Sequence, residues 1–370
     1  MSGMGSDPIA DTSLLEQLAR DVLERSCETE VVASSESAWP EELWRALDTT
    51  GLTRVGVSEA RGGAGGGWAE AAAVLRTAAR YAAPVPLAET SVLAGWALDE
   101  AAVELPGGPL TIARGDLRVE RRRDGWILSG RADRVPWARE SSWIVMFVDR
   151  RDTCLVAAVP SDRPRIVRSL NLAREPRDTV ICDEIDLRDL PVAELESPTG
   201  LVSRGALVRA IQMSGALDRV LELTVEYASV RRQFGRAIAE FQAVQQELAL
   251  LAGEAAAARA AADEAVSAVA AVTGTPSTRA AHTRREEVAA AKVRTGIAAY
   301  EGARIAHQLH GAIGITFEHQ LHHFTSRLLS WREEYGNERR WATELGRLLA
   351  AMGGEGTWRR LVTAGDPVAP

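Results

Sequence analysis

Between residues 109 and 196 the apolar side chains recur at every second position, whereas on both sides they recur every third or fourth. That single change of period constrains the chain most. It sets one β unit between two helical ones, with no helices alternating with the strands. A doubly wound parallel sheet is therefore excluded, and the expected class is α+β. The boundaries fall at 1–107 for an N-terminal helical domain, 108–197 for a small β domain, 198–355 for a four- or five-helix bundle and 356–370 for a tail.

Local signals support each unit. Asp11-Thr12-Ser13 offers a helix N-cap, and Leu14, Leu18 and Val22 follow at fourfold spacing. Pro40 and Glu41 open a second helix, which Gly51 stops. Further helices are expected over 69–81 and 87–103. In the middle unit, Leu117–Glu120 and Trp126–Leu128 flank Asp124-Gly125, a strong hairpin pair. Residues 143–148, WIVMFV, read as a buried strand, followed by strands at 155–159, 166–167 and 180–182. Beyond Pro198 long helices are expected to about 229, from 241 to 272 and from 278 to 309, with a break at Thr275-Pro276-Ser277. Shorter helices follow at 317–335 and 337–352, an arrangement that suits an antiparallel bundle.

Composition narrows the function. Apolar residues make up 46% and charged ones 25% of the 370, the balance of a globular protein. A net charge of -8 argues against nucleic acid or an anionic membrane as the main partner. Cys27, Cys154 and Cys182 are far apart and odd in number, as for buried thiols in a reducing compartment. MSGMGSDPIADTS has neither a basic n-region nor an apolar h-region, and no apolar run reaches the roughly 18 residues of a membrane span. A cytoplasmic location is expected. The positive charge is nearly all arginine, with Lys292 the one lysine in the chain.

Two segments can carry chemistry. Tyr227-Ala-Ser-Val-Arg231-Arg232-Gln233-Phe234-Gly235 ends a helix in two guanidiniums, and Phe241-Gln242 opens the next. Guanidiniums grip pyrophosphate in bidentate fashion; the same pair also suits a solvated helix C-terminus favoured by the macrodipole. Gln308-Leu-His310-Gly311-Ala312-Ile313-Gly314 ends a helix at a glycine turn, which serves as an ordinary cap or as a place where backbone approaches a ligand. The glycine-rich run 56–68 lacks the order of a phosphate cradle. All six histidines lie between 282 and 323, and His319 and His323 have the i, i+4 spacing of a metal pair. They read as ordinary polar helix residues, and no metal is expected.

Taken together, RRQFGRAIAEFQ and, some seventy residues later, QLHGAIGITFEHQLH resemble the acyl-CoA dehydrogenase family. GVSEARGGAGG and GWILSGRADRVPWA resemble two further stretches of that family, all in order. The run APVPLAET resembles its actinobacterial branch, which forms heteromeric complexes and points to bulky acyl groups. The resemblance implies FAD-dependent α,β-desaturation of an acyl thioester, carried by CoA or a carrier protein. A carboxylate takes the α proton, and the β hydrogen leaves as hydride to the flavin. It also implies that Arg231, Phe234, Gln242, Gln308, Gly311 and Gly314 grip FAD, reaching the FAD of a neighbouring subunit in an oligomer.

The chain departs from the family where the base belongs. Gly336 lies 28 residues after Gln308, as the family spacing requires, yet the residue before it is Tyr335, and Glu334 stands one place off. The alternative base position, 22 residues before Tyr227, is Gly205. On the flavin side, Arg134-Val135-Pro136 replaces a Trp-Ile-Thr stretch, with Trp137 adjacent. Three expectations follow. The chain is a subunit whose related partner carries the base and the ring pocket, or a self-sufficient FAD enzyme using Glu334, or a non-catalytic scaffold of the same fold.

Overall fold

The computed structural model describes residues 8–35, 38–151, 153–195, 200–271, 285–316 and 318–362. Helix α1 spans Pro8–Ser26, so Pro8 opens it and the expected cap at Asp11 lies inside the helix. Proline fits that first turn because its missing N–H has no intrahelical partner there. Ala19, Val22 and Leu23 bury one stripe of α1 against α4, Trp68–Arg80. Two short helices, α2 (Thr29–Ser34) and α3 (Glu41–Thr49), lie between them. The expected helix over 87–103 is a π-helical segment, Glu89–Gly95, running into α5, Trp96–Glu100. All seven residues of the π segment are buried, including Glu89.

The β unit is two packed four-stranded sheets. One has the order β1 (Leu110–Arg114), β4 (Trp143–Asp149), β5 (Cys154–Pro160), β8 (Val192–Leu195), with β1 parallel to β4. The other runs β2 (Asp116–Arg122), β3 (Gly125–Pro136), β7 (Arg177–Asp186), β6 (Arg165–Val167), all antiparallel. The expected hairpin forms as β2–β3, but Arg122 pairs with Gly125, so its two-residue loop is Arg123-Asp124 rather than Asp124-Gly125. Ile144, Met146 and Val148 face the core between the sheets, whereas Val145 and Phe147 join the helical core. This explains why β4 reads as an unbroken apolar run: a strand covered on both faces has no solvent side to make polar.

The C-terminal unit is built round α6, Gly200–Val230, which packs against α4, α7 (Gln242–Ala270), α8 (Arg285–His310) and α9 (Leu321–Glu333). A two-residue ladder, β9 (Arg232–Gln233) with β10 (Arg236–Ala237), links α6 to α7. Leu251, Ala255, Ala258, Ala262 and Ala265 form the buried stripe of α7, small enough to let α8 approach closely. The break at Thr275-Pro276-Ser277 lies outside the described residues. Helix α10, Glu338–Val362, continues past residue 355 with a kink at Gly353. Trp331 and Trp341 are core residues, and the three cysteines are buried and free. No helix among the described residues is long and apolar enough to cross a membrane.

Gly215 of α6 sits directly on the Arg76 carbonyl of α4, where a methyl group has no room. Gly215→Ala is expected to destabilise the chain by about 1–3 kcal/mol through overpacking. Gly253, exposed on α7 with open space at its Cβ, should instead gain up to about 1 kcal/mol as Ala. Urea denaturation of the two variants tests the contrast.

Candidate active site

Helix α9 stops at Glu333 because the next residue leaves helical geometry: Glu334 is extended (φ −76°, ψ 141°) and Tyr335 is left-handed (φ +55°). Glu334 is therefore not displaced by a helical step, as an extension of the helix to 335 predicts, but projects from a sharp turn. Lys292 of α8 fixes that turn from below. Its fully buried Nζ donates to the carbonyls of Trp331 (2.8 Å) and Arg332 (3.0 Å), capping α9. Burial pushes the Lys292 ammonium down to about 7. From the other side, the Trp341 Nε1–H donates to the Tyr335 carbonyl at 3.0 Å.

Glu334 ends between two guanidiniums. The Arg177 Nε–H donates to one carboxylate oxygen and the Arg209 Nε–H to the other, each at 2.7 Å. Arg209 also donates to Glu89 at 2.6 Å, and Arg177 to Glu175 at 2.9 Å. Glu175 in turn accepts from the Trp331 Nε1–H at 3.1 Å and pairs with Arg327 at 3.2 Å. The result is a buried chain, Glu89–Arg209–Glu334–Arg177–Glu175–Arg327, in which three carboxylates alternate with three guanidiniums. Although burial alone raises a carboxyl pKa, the paired arginines overcome it and hold Glu334 at about 2.

The Tyr335 ring covers Gly205. A Cβ built at Gly205 runs into that ring, so the two base positions inferred from the sequence are one place in space. An aromatic ring fills it. The Arg209 guanidinium lies over the same ring at 5.8 Å, and burial keeps the phenol protonated far above neutrality.

Glu334 and Tyr335 line a cavity of about 720 Å³ between the β unit and the bundle. Ile112, Val135, Leu201 and Leu329 give it an apolar floor. Arg134 reaches it from a register shift between Ala132 and Val135 in the β3–β7 pairing, the kind of bulge that re-aims a side chain. Trp137 is not among the lining residues; it is buried and packs edge-on against Trp39 at 6.5 Å.

The expected dinucleotide grip lies elsewhere, at the far end of α6. The Tyr227 hydroxyl donates to the His310 carbonyl at 3.3 Å, which brings the end of α6 to the glycine turn Gly311–Ile315. Arg231 follows one turn after Tyr227. Arg231, Phe234, Gln242, Gln308 and Gly311 are all exposed, Phe234 at 93%. Gly311 has φ +65° with open space at its Cβ, and Gly314 is buried against His310. None of the six lines the cavity. The five exposed residues form an open surface whose guanidinium and amide donors suit a diphosphate. Sequence reading missed Glu89, Arg177, Arg209 and Lys292. Only Lys292 carried a signal, being the one lysine among arginines.

Residues 10–104 match the family model of the acyl-CoA dehydrogenase N-terminal domain, and residues 198–339 that of the C-terminal domain. Acyl-CoA dehydrogenase IpdE2 of Mycobacterium tuberculosis is 32% identical over 301 residues, covering 80% of this chain and 82% of that protein. Its namesake from Mycolicibacterium smegmatis is 28% identical, covering 86% and 92%. Among solved structures, a variant of the Tcur3481–Tcur3483 steroid ACAD is 25% identical with a TM-score of 0.80, covering 93% of this chain and 99% of that one. The ChsE4–ChsE5 complex of Mycobacterium tuberculosis shares the fold, with a TM-score of 0.80 at 22% identity and coverage of 95% and 99%.

Replacing Glu334 with Gln keeps the shape and removes the charge that both arginines share. Breaking a buried pair of this kind is expected to cost about 3–5 kcal/mol. In the unaltered chain the contribution of Glu334 is fully present above pH 4.5 and is lost as pH falls through about 2. Urea titrations of the chain and of Glu334→Gln across acid pH check both statements.

Proposed function

The chain belongs to the acyl-CoA dehydrogenase family, whose members use FAD, and on that premise we propose that it is the grip-lending subunit of a heteromeric acyl-CoA dehydrogenase. The observation that carries this reading is the clasp on Glu334 beside the Tyr335 ring on Gly205. A general base works best with a pKa near the operating pH, and neither position supplies one. The wall where the family places tryptophan against the flavin offers Arg134 instead, with Trp137 turned away.

The grip supports the other half of the reading. Arg231 donates charge-assisted bonds to a pyrophosphate. Gln242 and Gln308 supply amide donors beside it, and Gly311 lets backbone approach. Bound FAD supplies the hydride acceptor, and in this reading its ring and the base belong to a related partner chain. Heteromeric assembly is supported by the two chains named in each of ChsE4–ChsE5 and Tcur3481–Tcur3483. The substrate we assign is a bulky acyl-CoA, in line with the steroid named for the Tcur pair. The assembly acts in the cytoplasm.

Co-expression with a related, longer chain is expected to give a heterotetramer with about one FAD per two chains, measured by native mass and flavin absorbance. A homotetramer with one FAD per chain that desaturates an acyl-CoA unaided overturns the proposal. In the complex, Arg231→Ala should weaken FAD binding at least ~10-fold, from the loss of a bond worth about 1.5–3 kcal/mol. Arg232→Ala should matter much less. A self-sufficient reading keeps one point in its favour, the place of Glu334 at the cavity wall. A folded Glu334→Gln complex that keeps its kcat dismisses that alternative.

A further inference from the structure

We infer that His310 is the positioning residue of the dinucleotide grip, holding the Gly311–Ile315 turn against α6 in its neutral form and releasing it when protonated. The inference rests on the grip reading above. His310 is the last residue of α8 and is buried. Its ring stacks on Tyr227 at 4.4 Å, 20° from parallel, while the Tyr227 hydroxyl holds its carbonyl. A Cβ built at Gly314 meets the His310 Cβ at 2.9 Å, so the far end of the turn rests on this side chain. Both ends of the turn thus depend on one residue.

Its protonation state follows from its contacts. The His310 Nδ1 lies 2.8 Å from the Ala306 carbonyl, so it carries the proton of the neutral ring. The Nε2 is buried and has no hydrogen-bond partner among the described residues. A second proton there has no acceptor. Three imidazoles surround the place. His319 meets the His310 ring edge-on at 4.8 Å, and its Nδ1 accepts from the Leu321 N–H at 3.1 Å. His307, one turn back, has its Nε2 2.9 Å from the Thr325 hydroxyl and a buried Nδ1 without a partner among the described residues. His322 of α9 acts electrostatically on both His307 and His319. From α6 come Tyr227 and Glu226, and Glu226 acts on His319.

Burial, the largest cause, pulls His310, His307 and His319 below the ordinary value of 6.5. The sign follows: the closed turn binds fewer protons than the open one, so its stability is full above pH 6.5 and falls as pH drops below that value. Acid release of the grip is assigned to the imidazoles behind it, His310 first.

The test follows FAD retention by the co-purified complex, read as free-flavin fluorescence, from pH ~7.5 to ~5. The unaltered complex should lose FAD affinity at least ~10-fold across that range. His310→Phe keeps the stack but cannot titrate, and its affinity should change less than ~3-fold. A His310→Phe curve that follows the unaltered one overturns the inference. If that variant does not fold, hydrogen exchange on the unaltered complex decides. After correction for intrinsic pH dependence, amides 311–316 should lose protection on acidification before those of α6. Uniform protection overturns the inference. Arg231→Ala separates the two readings. Retention of FAD by that variant at pH ~7.5 defeats the grip itself; release by Arg231→Ala with an unaltered His310→Phe titration defeats only the role of His310.

Discussion

Six charged side chains in a row, Glu89–Arg209–Glu334–Arg177–Glu175–Arg327, join the three parts of this molecule. Glu89 comes from the π-helical segment, Glu175 and Arg177 from the β unit, and Arg209, Arg327 and Glu334 from the bundle. Desolvating six charges offsets most of their attraction, so the row contributes geometry more than stability. Each ion is satisfied by neighbours from another part. No part can shift without uncovering a buried charge. Everything at the cavity, from the turn after α9 to the Tyr335 ring on Gly205, takes its place from that constraint.

The same constraint decides the chemistry. A carboxylate at a cavity wall invites assignment as a base, and Glu334 stands one residue from where its family keeps one. Two guanidiniums at 2.7 Å change its character: they stabilise the charged form so strongly that it has little affinity for a proton near neutrality. Tyr335 completes the change by filling the space above Gly205. The cavity keeps an apolar floor and a rim of charge while its proton-accepting corner is closed. Away from the cavity, the end of α6 and the start of the glycine turn expose Arg231, Gln308 and Gly311. One region is sealed and the other exposed.

Lys292 shows why a chain so biased toward arginine keeps one lysine. The end of α9 offers two carbonyls inside the core, with room for a compact ammonium on a slender stem. A guanidinium is planar and wide, and its five donors need more partners than two carbonyls provide. The turn that this lysine caps carries both Glu334 and Tyr335. A small donor deep in the bundle thus governs the geometry of the cavity wall.

Much of this was legible beforehand, and the reason is local. The change of period, the β2–β3 hairpin and the long apolar spacings of α6 and α7 depend on neighbours a few residues away, so the sequence alone determined the helix–β–helix order. The spacing from Gln308 to Gly336 likewise drew attention to Tyr335 and Glu334, and the Arg231 and Gln308 segments marked the residues proposed as the grip. The partners of Glu334 left no trace of that kind. Arg177 is 157 positions away and Arg209 is 125, in segments with no spacing to connect them, and Glu89 lies in an apolar stretch. Only the tertiary structure could decide that this carboxylate is an anchor, because its basicity depends on the charges brought beside it, and those arrive from two distant segments, the β unit and α6.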